Sequence, residues 1–142
     1  MELHDLDWAV RKYAANGDLV WSKLYGATGS LQDEPAGLAV GADGDVYVAG
    51  NTAASEGWVT LKYDGESGDL EWVTSYTGLD ELDDEAAAIA VSPAGAIHVT
   101  GTSAGDYATV KYIERITGDV IWETDIPVDL LASETRDIST LV

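Results

Sequence analysis

Short runs of alternating apolar and polar residues, broken at close intervals by glycine-bearing turns, organise this chain. In Trp58–Tyr63, Val59, Leu61 and Tyr63 fall on one side and Trp58, Thr60 and Lys62 on the other, the two-residue period of a β-strand. Four kinds of strand, A to D, recur in order. Leu38–Val40 and Ile89–Val91 are of the A type, and Val46–Ala49 and Ile97–Thr100 are of the B type, ending at Gly50 and Gly101. Trp58–Tyr63 is of the C type, with counterparts opening at Trp8 and Tyr107. Leu70–Ser75, Leu19–Leu24 and Val120–Asp125 are of the D type. Turn signals separate them at Asn16-Gly17-Asp18, Asp43-Gly44-Asp45, Glu66-Ser67-Gly68, Pro93-Ala94-Gly95 and Ile116-Thr117-Gly118. Asp83–Ala90 has a composition that a helix would tolerate. Its counterpart Asp33–Val40 holds Pro35 and Gly37, so both stretches predict a loop entering a strand.

The pattern repeats as a unit. Lys-Tyr, a Gly-Asp turn and a Trp recur as Lys12/Tyr13/Gly17/Asp18/Trp21, Lys62/Tyr63/Gly68/Asp69/Trp72 and Lys111/Tyr112/Gly118/Asp119/Trp122, so the lysines lie 50 (62 − 12) and 49 (111 − 62) positions apart. Even spacing of short strands predicts an all-β protein, and a period near 50 favours β-propeller repeats with four-stranded blades over a sandwich. Roughly two and a half to three blades fit the length. The blade units run approximately 1–37, 38–86 and 87–126 within a single array spanning 1–142. Trp21, Trp72 and Trp122 precede Val40, Val91 and Leu141 by 19 positions each, so Ile138–Val142 reads as another A strand and 136–142 as a closing strand. Glu2–Leu6 is the candidate for a shortened B strand. Three blades do not close a ring, which predicts either a piece of a larger propeller or a homo-oligomer whose copies complete one another's blades.

Composition narrows the partners. The 142 residues carry 26 acidic and 7 basic side chains, a formal net charge of −19. That field repels phosphate backbones and argues against nucleic acid as a partner. A carboxylate-dense surface that stays hydrated in concentrated salt is the leading reading; an acidic secreted protein and a cation-binding surface are the alternatives. Hydrophobic residues make up 46%, enough for a packed core, yet there is no Phe, so Trp, Tyr and Val must supply its bulk. No apolar run is long enough to cross a bilayer as a helix, and Met1–Asp7 does not have the apolar core of a signal peptide. With no Cys, disulfides, thiolate ligands and cysteine nucleophiles are excluded, and the redox compartment is left open.

Candidate chemistry is sparse. Trp21, Trp72 and Trp122 recur at one place in every unit, which suits packing between blades better than stacking on sugars. Lys12, Lys62 and Lys111 are three of only four lysines, Lys23 being the other, and predict a repeated structural ion pair with Asp33, Asp84 or their neighbours. Asp80–Glu85 holds five carboxylates without the spacing of a calcium loop, and reads as a solvated acidic loop. Asp43-Gly44-Asp45 reads as a hairpin turn. His98 stands where the preceding unit has Tyr47, and His4 lies in the leader; neither neighbours a nucleophile, so no Ser-His-Asp site and no His-based metal site is expected. The glycines belong to turns and strand ends, not to a phosphate loop. No catalytic residue, no metal site and no cofactor is expected, and the binding residues are unknown.

Trp21-Ser-Lys-Leu-Tyr-Gly, Asp33-Glu34, Gly37-Leu-Ala-Val, Gly44-Asp-Val-Tyr-Val-Ala-Gly-Asn-Thr and Trp58-Val-Thr-Leu-Lys-Tyr together resemble the SBBP-type β-propeller repeat of bacterial and archaeal proteins. The second copy resembles it through Tyr76-Thr-Gly, Asp84-Glu85, Ala88-Ile-Ala-Val, Gly95-Ala-Ile-His-Val-Thr-Gly-Thr-Ser and Tyr107-Ala-Thr-Val-Lys-Tyr. Gly68-Asp-Leu-Glu-Trp and Gly118-Asp-Val-Ile-Trp are more faintly similar to the Trp-docking turn of quinoprotein-type repeats. The resemblance implies a scaffold, often in secreted or cell-surface proteins, with no fixed catalytic set. The expected function is therefore a non-enzymatic β-propeller scaffold for protein interaction or self-assembly, acid-rich and suited to a halophilic surface. A lectin-like oligomer that binds glycans is the alternative, and for it Trp8, Trp58 and Tyr107 are the aromatic side chains expected to be available. A fragment of a quinoprotein-like enzyme is the second alternative.

Overall fold

The computed structural model describes residues 7–26, 33–52, 57–78, 84–114 and, as backbone, 120–125. It is all-β, with ten strands among these residues. They are β1 (Trp8–Tyr13), β2 (Leu19–Tyr25), β3 (Asp33–Val40), β4 (Val46–Thr52), β5 (Trp58–Tyr63), β6 (Leu70–Tyr76), β7 (Glu85–Val91), β8 (Ile97–Ser103), β9 (Asp106–Glu114) and β10 (Val120–Asp125). They form three antiparallel sheets: β1-β2, β3-β4-β5-β6 and β7-β8-β9-β10. Each four-stranded sheet is a meander in chain order, and β1-β2 matches its third and fourth strands.

The hairpins share one local solution. Gly17, Gly44, Gly68 and Gly95 have φ of 92°, 94°, 73° and 86°, the left-handed region in which a side chain is strained. In the tight turns Gly17 N–H reaches the Ala14 carbonyl at 2.9 Å, Gly44 N–H that of Gly41 at 3.0 Å and Gly95 N–H that of Ser92 at 2.9 Å. The stretch before the A strands, expected as a loop, is itself strand and pairs: β3 begins at Asp33 and β7 at Glu85. Register shifts at Pro35/Gly37 and Ala86/Ala88 show a bulge at the same place in both. Pro35 is tolerated because β3 is an edge strand, where a missing N–H breaks no inner ladder.

The B strands do not end at Gly50 and Gly101, contrary to the sequence reading. β4 runs to Thr52 and β8 to Ser103. Gly50 sits inside the ladder, opposite Pro35 and Val59. Its role is close packing. A Cβ on Gly50 would stand 2.8 Å from Trp8 Cζ2, and one on Gly101 would stand 2.8 Å from Trp58 Cζ3 while colliding with the Glu85 carbonyl oxygen. The β1-β2 and β3–β6 sheets each lay the aromatic residue that opens the C strand onto a glycine of the following sheet.

The β3–β6 sheet is buried on both faces at its centre. Val46, Val48, Val59, Leu61 and Tyr63 pack with Trp8, Val10 and Trp21 of the β1-β2 sheet. Tyr47, Ala49, Trp58 and Tyr76 pack with Ala86, Ile97, Val99, Ala108, Val110 and Tyr112 of the β7–β10 sheet. All six residues of β5 are buried, the two alternating sets on opposite faces. At ~25 cal/mol per Å² and roughly 150–250 Å² per ring, each buried tryptophan contributes about 4–6 kcal/mol. Replacing Gly101 with Ala puts a methyl group against Trp58 and the Glu85 carbonyl. The expected cost is about 3 kcal/mol in a urea titration, whereas Gly95→Ala, whose Cβ meets nothing within 4 Å, should cost only the smaller strain of its turn.

Candidate functional site

The densest polar arrangement among the described residues lies where β5 faces the β7–β10 sheet. Lys62 is next to last in β5, opposite Tyr47 of β4 and Trp72 of β6. Its side chain is buried, and Nζ meets Asp45 Oδ2 at 2.9 Å, Glu71 Oε2 at 2.7 Å and Glu114 Oε2 at 2.9 Å. Asp45 comes from the turn before β4, Glu71 from β6 and Glu114 from the end of β9 in the neighbouring sheet. The ammonium also lies 5.8 Å from the centre of the Tyr47 ring. Asp45 Oδ1 accepts the Gly65 N–H at 2.9 Å, which ties the group to the β5–β6 turn. Asp43-Gly44-Asp45 is thus the expected turn, and it also supplies one limb of an ion-pair cluster.

Burial by itself would pull the Lys62 ammonium down. The carboxylates of Glu71, Glu114 and Asp45 outweigh it and hold Lys62 well above the ordinary lysine value. Burial likewise pushes the Tyr47 hydroxyl up to about 12, against the opposing pull of Lys62. One buried cation therefore neutralises part of three carboxylates and bridges two sheets. These carboxylates are engaged by one ammonium, and the arrangement binds the two sheets together.

The same connection exists one sheet earlier in a different form. Lys12 Nζ donates to the carbonyl of Gly65, and Gly65 stands 49 positions before Glu114. The Trp21 indole N–H donates to that same carbonyl at 3.2 Å. The expected repeated ion pair is found for Lys62, whereas Lys12 meets a neutral backbone carbonyl in its place. Lys62, however, pairs with Asp45, Glu71 and Glu114 and not with Asp33 or Asp84, because those aspartates lie at the far end of the strands. Asp84 is buried there, where one oxygen accepts the Gly78 N–H and the other has no partner among the described residues. Lys111 is half-buried on β9, and Lys23 makes an exposed 3.6 Å contact with Asp69 of the kind worth little.

Trp21 and Trp72 occupy the inter-sheet position expected of them. Trp21 lies 6.0 Å from Tyr63, and Trp72 lies 6.1 Å from Tyr47 and 6.5 Å from Tyr112. The Trp122 side chain falls outside the described residues, as do His4, Glu2–Leu6, Asp80–Asp83 and the closing strand 136–142. His98 is a half-buried strand residue opposite Ala90 and Lys111. Two of the three aromatic residues expected to be available for sugars are not. Trp8 is 1% exposed and Trp58 0%, because each is covered by the next sheet, and Trp58 stacks on Tyr76 at 4.6 Å. Only Tyr107 is open, at 84%. The carboxylate cluster was missed from sequence, since Asp45, Glu71 and Glu114 lie in different strands. The one available signal was Lys62 itself, a rare lysine on the apolar-facing side of a buried strand.

Lys62→Met, which keeps the stem but leaves three converging carboxylates, should cost about 3–5 kcal/mol in equilibrium unfolding. The folded-state proton affinity of Lys62 is raised, so its contribution is fully present below the unfolded value near 10.4 and is lost as pH rises beyond it. Stability of the native chain relative to Lys62→Met should therefore be flat from neutrality to about pH 10 and fall above that. Trp72→Ala should lower stability by roughly 3–5 kcal/mol; an unchanged melting temperature would remove Trp72 from the core.

No family model matches the chain. Among curated proteins it is similar to the regulatory protein FlaEY of Caulobacter vibrioides, at 33% identity over 120 residues. That match covers 70% of this chain and spans only 12% of the length of FlaEY.

Proposed function

We propose that the chain is a non-enzymatic scaffold of β-propeller repeats of the SBBP type, serving protein interaction or self-assembly. One observation carries this reading. Trp8, Trp58 and Tyr107 occupy one repeat position, 50 and then 49 residues apart; the first two are sealed by the next sheet, while Tyr107 is exposed. A position built for burial stands open at one end of the described stack, and such a surface favours docking of further protein. The match to 12% of the length of FlaEY suits a repeat module that also occurs within longer chains, and the net charge of −19 suits a surface kept soluble in concentrated salt.

Light scattering in dilute buffer and again in molar salt tests the reading. A discrete dimer or trimer is expected, favoured by salt because screening relieves repulsion between acidic copies. Tyr107→Ser should lower the associated fraction without changing the far-ultraviolet circular dichroism. A monomer at every salt concentration overturns self-assembly.

A further inference from the structure

We infer that Asp84 and Ser103, meeting over Gly78, form a calcium-binding site between the end of β6 and the start of β7. The site would serve the chain whether or not it assembles with others. The run Asp80–Glu85 reads in sequence as a solvated loop, yet Asp84 is only 6% exposed. Its Oδ2 accepts the Gly78 N–H, while its Oδ1 is shut off from water and has no hydrogen-bond partner. Among the described residues no cationic side chain pairs with it. A carboxylate withdrawn from water needs a cation or a full set of donors, and this one has a single amide. Asp33, 51 positions earlier and equally shielded, lies instead within electrostatic reach of the Tyr25 hydroxyl.

The free oxygen faces a second one. A Cβ on Gly78 would stand 2.0 Å from Ser103 Oγ and 2.9 Å from Asp84 Oδ1, so the two oxygens are at most 4.9 Å apart (2.0 plus 2.9). They make no hydrogen bond to each other. Two ligands of one calcium ion, each at about 2.4 Å, lie up to ~4.8 Å apart, which is the span offered. Gly78 is not among the glycines of positive φ, so its value here is space: any side chain would fill the cradle.

The strands hold Ser103 in place. β8 turns into β9 through Ala104 and Gly105, with φ of 52° and 83°, the pair of left-handed residues that a two-residue hairpin demands. Ser103 ends β8 opposite Asp106, and Glu85 opposite Thr102 brings Asp84 level with Ser103. Directly opposed residues share a face, so exposed Asp106 adds negative field where half-buried Ser103 opens to solvent. Thr52, the counterpart of Ser103, is 7% exposed, which leaves the later sheet as the accessible one. Carboxylate and hydroxyl oxygens suit a hard cation, and calcium tolerates an irregular shell completed by water. No three acidic or histidine side chains converge among the described residues, so a weak site, with Kd on the order of 10⁻³ M, is expected.

Calcium chloride titrated into the full chain in about 0.5 M sodium chloride, which screens diffuse binding to the acidic surface, is the test. The Gly78 amide resonance should shift saturably, and at ten times Kd the Tm should rise by about 3 °C over its value in chelator. Asp84→Asn should abolish both responses. In chelator its Tm should equal or exceed that of the native chain, because the amide carries no uncompensated charge. Ser103→Ala should weaken calcium binding ~10-fold, and it decides the matter if Asp84→Asn does not fold. Asp18→Asn, at the exposed β1–β2 turn, should leave both responses unchanged. The site is overturned by a Gly78 resonance indifferent to calcium, by a Tm rise that persists in Asp84→Asn, or by calcium affinity unchanged in Ser103→Ala. None of these results alters the oligomer measurement, so the two readings fall separately.

Discussion

A flat aromatic ring laid on a glycine is the contact on which this structure depends. Trp8 over Gly50 and Trp58 over Gly101 bring successive sheets together at the same point of each repeat. The ring supplies buried area, and the glycine supplies the space to approach backbone closely. That approach lets the remaining aliphatic residues meet. Ile97, Val99 and Val110 are sealed beneath Trp58, and Val48 and Leu61 beneath Trp8. Without the glycines the rings would be held off by a methyl group, and every contact beside them would open.

A second constraint follows from stacking sheets whose surfaces are acidic. At one edge of the interface Glu71 and Asp45 of one sheet meet Glu114 of the next, and these carboxylates would repel without a cation between them. Lys62 reaches them along an apolar stem and is shielded from water, so salt weakens the attraction less than it weakens a surface pair. The earlier interface answers the same geometry with a neutral carbonyl: Gly65 takes both Lys12 and the Trp21 indole. The two solutions share a lysine and differ in what it meets. Sequence drift between repeats is thus tolerated at the acceptor while the donor is kept.

Repetition explains where the surface is unfinished. In a stack, each face is designed for a neighbour, so residues with identical local chemistry differ in burial only through position. Leu38 and Val40 are exposed where Ile89 and Val91 are half-buried, and Tyr107 is open where Trp58 is closed. These differences cannot arise from propensity or pattern. They report whether a described strand of a neighbouring sheet lies over each position.

Much of the architecture was legible in the chain because β-strands write their facing directly as a two-residue period, and because three imperfect copies check one another. The alternation of Trp58–Tyr63 divided the strand correctly into two sides, though not that both are buried, and the 50-residue spacing placed the hairpins and their glycines. The sequence also marked Lys62 as unusual, as a charged residue retained where charge is scarce in one sign. Only the tertiary structure decided its partners, since Asp45, Glu71 and Glu114 come together through strand pairing and sheet stacking, neither of which leaves a local signature. It also reversed the apparent availability of Trp8 and Trp58. A tryptophan at a strand start looks the same in sequence whether it meets water or a neighbouring sheet, and burial is a property of what packs against it.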